Sequence, residues 1–128
     1  MKLLSEQTDE SSLLRFGQEA VSLLEKRDFQ SLGDQFDYAL KFDKSPAAAI
    51  EEDFQSCLAE FHALSQQPTA VPPSMVVKYF KPNSSNLFAV VECVFTVAEG
   101  CPILAELIVT SSGEERNVTL EEVSLAKS

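Results

Sequence analysis

The sequence has no tryptophan, one histidine, four glycines and half as many basic as acidic residues: 10 Lys and Arg against 20 Asp and Glu, for a formal charge of −10. Each shortage excludes something. Few cations on an acidic chain leave no basic stripe for a nucleic-acid backbone, so no nucleic-acid partner is expected. A lone histidine, His62, and three cysteines without C-x-x-C spacing, Cys57, Cys93 and Cys101, make no zinc-ligand pattern. The few glycines build no phosphate-binding loop, and neither a nucleophile elbow nor H-E-x-x-H occurs; no metal or cofactor is expected. No apolar run approaches the roughly 20 residues of a spanning helix, so no membrane partner is expected. Met1-Lys2-Leu3-Leu4 turns polar at Ser5, short of the about seven apolar residues of a secretory signal. The expectation is a cytoplasmic protein with reduced, mostly buried thiols, in which the sequons at Asn83 and Asn117 are chance matches.

What is present is ordinary globular material: 128 residues, 45% hydrophobic and 23% charged, enough for one self-sufficient core. The first half has helical period. Leu13, Leu14, Phe16, Ala20, Val21, Leu23 and Leu24 mark one helix, started by Thr8 or Asp9 and ending with Lys26 and Arg27 in its last turn. Gly17 weakens its middle by about 1 kcal/mol unless close packing needs it. Asp28 caps a second, short helix carrying Phe29, Leu32 and Phe36. Residues 38–42 fit either a short strand or a helical continuation. Ser45-Pro46 is the clearest start signal, opening a helix over 46–65 whose apolar face is Ile50, Phe54, Cys57, Leu58, Phe61 and Leu64. Prolines 68, 72 and 73 then break the helical pattern.

Beyond them the period becomes two. Strands are expected over 75–81, 87–98, 102–110 and 117–125, separated by Pro82–Asn86, Glu99-Gly100 and Ser111–Glu114. Short connections imply an antiparallel meander. The chain reads as a single α+β domain: a helical half over 5–66, a proline-rich linker over 67–74 and a meander over 75–125, with the helices packed on a curved sheet.

The two central strands have unequal faces. One carries Leu87, Ala89, Val91, Cys93, Phe95 and Val97, with Ile103, Ala105, Leu107 and Val109 from the next strand. With no polar group beyond a thiol, it belongs against the helices. The opposite face mixes Phe88, Val90, Val94, Leu104 and Ile108 with only two carboxylates, Glu92 and Glu106. Apolar patches of that kind usually mark contacts. Phe88, Glu92, Val94, Leu104, Glu106 and Ile108 are therefore the expected partner-binding residues, unless a loop or a terminal segment covers them.

The order of elements resembles the nuclear-transport-factor-two-like fold, the cystatin-like α+β cone shared by SnoaL-like proteins. The segment EAVSLLEKRDFQSLGDQFDYALKFDKSPAAAIEEDFQSCLAEF looks like its first three helices. A helix ending in a charged residue, then Asp-Phe and a Leu four residues after the Asp, is the family's pattern, here Arg27, Asp28, Phe29 and Leu32. The resemblance implies a cone in which the sheet's concave side and the helices enclose a pocket. Some such proteins are enzymes and others bind proteins, so the fold leaves function open.

An isomerase-type site needs a carboxylate base and an oxyanion donor. The available groups are Asp34, Asp37 and Tyr38, with His62 the only partner for a His–Asp dyad. The inward strand faces hold no acid, histidine or amide, whereas a catalytic pocket brings convergent polar groups to an apolar wall. The favoured reading is a non-enzymatic binding protein whose negative charge steers a cationic partner. By analogy with other cone folds, that partner is a basic toxin such as a nuclease, held by an acidic immunity protein. The alternatives are a SnoaL-like small-molecule enzyme or ligand carrier, and a dimer whose outer sheet packs on a second copy of itself.

Overall fold

The computed structural model of the chain describes residues 1–64 and 71–126. Three helices, α1 (Glu10–Glu25), α2 (Phe29–Phe36) and α3 (Pro46–Leu64), lie against an antiparallel sheet of β1 (Lys2–Leu3), β2 (Ser74–Tyr79), β3 (Leu87–Thr96), β4 (Pro102–Ser112) and β5 (Glu115–Leu125). The strand order is β1-β5-β4-β3-β2, so the last four strands form a meander and the first two residues of β-structure join it at the far edge. This is the α+β architecture expected from the change of period. Among the described residues no helix is long and apolar enough to cross a membrane.

Local chemistry explains the boundaries. Asp28 caps α2 by accepting from the N–H of Ser31 at 3.2 Å, and Ser45 Oγ accepts from the N–H of Ala48 at 3.2 Å, ahead of Pro46. Lys26 and Arg27, expected inside the last turn of α1, fall just beyond it, and Arg27 turns the chain with φ 56°. Residues 38–42 are neither strand nor helix. Tyr38 makes one parallel bridge to Leu120 and the rest is turn, because Asp37 (φ 61°) and Phe42 (φ 51°) leave both regular conformations. Residues 65–66 of the helical half and 67–70 of the linker lie outside the described residues, and Ser74 already belongs to β2. Two-residue β1 carries no period, which is why periodicity does not show it.

The strands meet through the expected turns. Gly113 opens a two-residue turn between β4 and β5 with φ 64°, the position where a type II′ turn calls for glycine. Gly100 (φ 83°) ends the β3–β4 turn, donating its N–H to the carbonyl of Val97 at 2.8 Å. Asn83 organises the β2–β3 loop, its Oδ1 accepting from the N–H groups of Ser85 and Leu87.

The core lies between the helices and one sheet face. Ala89, Val91, Cys93, Ile103, Ala105, Leu107 and Val109 are fully buried against Leu13, Ala20, Leu24, Leu32, Phe36, Ile50 and Phe54. At the end of α3 the apolar stripe leaves this core, and Leu64 is exposed. Helix α1 sits so close to the sheet that a Cβ on Gly17 would meet Met75 Sδ at 2.9 Å and Cys93 Sγ at 3.0 Å. Gly33 does the same between helices, with the backbone N of Ala47 at 2.9 Å from its Cβ position. All three cysteines are unpaired and buried. Burial pushes the thiols of Cys57 and Cys93 up to about 12.

Candidate protein-docking face

The sheet surface away from the helices is built by register. β3 and β4 pair so that Glu92 faces Glu106, Val94 faces Leu104 and Val90 faces Ile108. β2 adds Val76 beside Glu92 and Lys78 beside Val90. β5 adds Glu122 beside Glu106, Ser124 beside Leu104 and Thr119 beside Ile108. The result is one transverse row of three carboxylates, Glu92–Glu106–Glu122, flanked by the apolar pairs Val94–Leu104 and Val90–Ile108. Val94, Leu104, Glu106 and Ile108 are half-buried, and Val90 is nearly covered by its neighbours.

Like charges directly opposite one another on a sheet are unfavourable. Lys78 relieves one end, its Nζ donating to Glu92 Oε1 at 2.9 Å. Among the described residues Glu106, in the middle, has no such bond. Its partial burial, and then Glu92, Glu122 and Glu121 around it, raise its carboxyl above the ordinary 4.5, against the smaller pull of Lys78. Toward β5 the face runs into an open groove of about 480 Å³ lined by Leu104, Glu122, Ser124, Leu125 and Glu60 of α3.

Phe88 departs from the expected row. Leu87 pairs with Thr110 but Ala89 pairs with Val109, so Phe88 is an extra residue in a bulge. A bulge shifts the alternation by one. Leu87 takes the outer position and Phe88 turns to the helix side, where its ring meets Tyr79 edge-on at 5.8 Å and carries the Arg116 guanidinium at 4.7 Å. Strict alternation, which puts Leu87 inside and Phe88 outside, fails at this point.

The chemistry-bearing candidates lie elsewhere and do not converge. Asp34 is exposed on α2 and accepts from Gln30 Nε2 at 2.9 Å. Asp37 is exposed after α2; its bond from Lys41 Nζ at 2.9 Å holds its carboxyl below the ordinary range. His62 is exposed on α3, nine residues and about 13 Å of helix beyond Asp53. Tyr38 is fully buried and structural in its contacts. Its hydroxyl donates to Asp53 Oδ2 at 2.5 Å and accepts from the N–H of Val123 at 3.2 Å. Burial, and then Asp53, push its phenol well above the usual tyrosine range. Its one proton is therefore committed inside the protein. Among the described residues no group of three or more His, Cys, Asp or Glu is placed to hold a metal ion.

Residue reasoning misses Glu122, Val76 and Lys78. Glu92 and Glu106 are equidistant from Glu99 in the turn, so their pairing is readable by counting. Glu122 is not, because Glu106 pairs with Glu122 while Leu107 pairs with Leu120, a second bulge with no compositional mark. Comparison with known proteins gives no match for this chain: no family model, no curated protein and no solved structure.

Proposed function

We propose that this chain is a protein-binding module that docks a cationic partner on the outer face of its sheet. The supporting observation is the carboxylate row Glu92–Glu106–Glu122, set between apolar residues with, among the described residues, one lysine bonded to it. A partner Lys or Arg over Glu106 supplies the missing counter-charge, while Val94, Leu104 and Ile108 supply apolar area around it. The chain's charge of −10 adds long-range attraction for a basic protein. In its finer form the reading is an immunity protein that covers a basic toxin such as a nuclease, on the cone-fold analogy.

The interior gives less support to a pocket-based enzyme or carrier. Residues that would line a cone pocket, Phe36, Tyr38, Val91, Leu107 and Leu120, have no exposed surface, so nothing of water size fits against them. The docking reading is tested by retention of the partner on immobilised wild-type and Glu92→Lys/Glu106→Lys protein. Neither carboxylate faces the core, so the double variant should stay folded and lose the partner. A double variant that retains the partner removes this face from the reading.

A further inference from the structure

The two edges of the sheet are treated very differently. The β5 edge is closed along its length. Lys2 and Leu3 pair with Asn117 and Arg116, the Met1 ammonium donates to the Val118 carbonyl at 2.8 Å, the Ala39 N–H donates to the Leu120 carbonyl at 2.9 Å, and the Tyr38 hydroxyl takes the Val123 N–H. Among the described residues the β2 edge has none of these devices. Its register with β3 is unbroken, and Val76, Tyr79 and Phe80 are 43%, 47% and 42% exposed. An open, regular, apolar edge is a template for another strand.

From these features we infer that β2 pairs antiparallel with β2 of a second copy, about a two-fold axis at Val77, joining two sheets into one. The Phe80 N–H bonds to the Phe88 carbonyl, so alternate residues Val76 and Lys78 also turn their backbone toward β3. Met75, Val77 and Tyr79 then present their N–H and C=O groups outward. A two-fold at Val77 sets Val77 against itself and Met75 against Tyr79 of the other copy, with side chains matched on each face. On the outer face Val76 meets Lys78. Pro73, at the next outward position, has no N–H and ends the ladder. The segment from Ser74 to Tyr79 holds no acid in a chain with 20 of them, so it is a place where two acidic molecules can approach. Closed two-fold pairing satisfies the edge without propagating.

The test combines sedimentation with amide exchange on the full chain. The wild type should be a dimer, with the amides of Met75, Val77 and Tyr79 protected more strongly as concentration rises. Val76→Lys sets like charges against Lys78 of the other copy while lying beside its own Glu92; it should sediment as a folded monomer whose melting no longer depends on concentration. Val76→Lys/Lys78→Glu restores opposite charges across the axis and should restore the dimer. A monomeric wild type at the highest soluble concentration overturns the inference. So does a dimer whose three outward amides exchange freely, since its copies meet on another surface, and so does protection that arises only when a different protein is added.

Discussion

Tyr38 joins three elements through one oxygen. It follows α2, donates to Asp53 on α3 and accepts from Val123 on β5, directly after the bulge that removes that N–H from the ladder. Tyr38→Phe keeps the ring in place and leaves the Val123 N–H buried without an acceptor. The expected loss is about 1–3 kcal/mol in urea unfolding, the cost of one unsatisfied buried group; an unchanged midpoint would deny the hydroxyl this role. Glu106 gives a second residue-scale expectation. Between the ordinary 4.5 and its own raised value, the folded chain holds a proton that the unfolded chain has released. Stability therefore falls as pH rises through that window. Glu106→Gln should flatten the melting temperature across it. Asp37 has the opposite sign and a lower window, since its carboxyl is held below the ordinary 3.8, so its contribution is lost as pH falls further. Melting curves of the wild type and Glu106→Gln across both windows separate the two.

At the scale of elements, the two tight glycines differ in what surrounds them. Beside Gly33 stands the first turn of α3, with the backbone of Ala47 at 2.9 Å and Pro46 Cβ at 3.0 Å, and backbone cannot swing aside. Gly33→Ala should destabilise by about 1–3 kcal/mol as overpacking, despite the roughly 1 kcal/mol that alanine offers a helix. Gly17→Ala meets the flexible end of Met75 first, and its helix gain offsets more of the strain. Chemical denaturation of the pair should rank Gly33→Ala well below Gly17→Ala. The helices themselves are legible in sequence, because Ser45-Pro46 and Asp28 are local signals read out locally. The strands are legible too, and so is the apolar face from Ala89 to Val97. What escapes is whatever depends on an extra residue. The bulge at Phe88 exchanges the faces of Leu87 and Phe88, and the bulge before Glu122 completes the acidic row. Neither bulge contains a glycine or proline to announce it. Residues 38–42 escape for a related reason, since their shape answers to Leu120, far along the chain.

At the scale of the molecule, charge and apolar area sit on the same open face. If a cationic partner docks there, association should slow as salt rises, because steering is screened over about 8 Å at physiological ionic strength. The dissociation rate should change less, since it reports the apolar rows around Glu106. Stopped-flow association across a salt series measures both, and an association rate indifferent to salt would speak against an electrostatic encounter.

The joining of β1 to β5 has a consequence for the order in which the molecule assembles and loosens. The meander forms from near neighbours, but Met1 reaches Val118 across 117 positions. Closing so long a loop for two residue pairs returns little free energy for its entropy, so β1 should dock late, onto a sheet already formed. By the same token it is the first part to let go. In native-state hydrogen exchange, the amides of Leu3 and Val118 should open at far lower free energy than those of Val91 or Leu107, through a local detachment that leaves the rest folded. Such a hinge at the sheet's sealed edge makes the seal reversible: each opening briefly exposes the β5 backbone that the first residues cover.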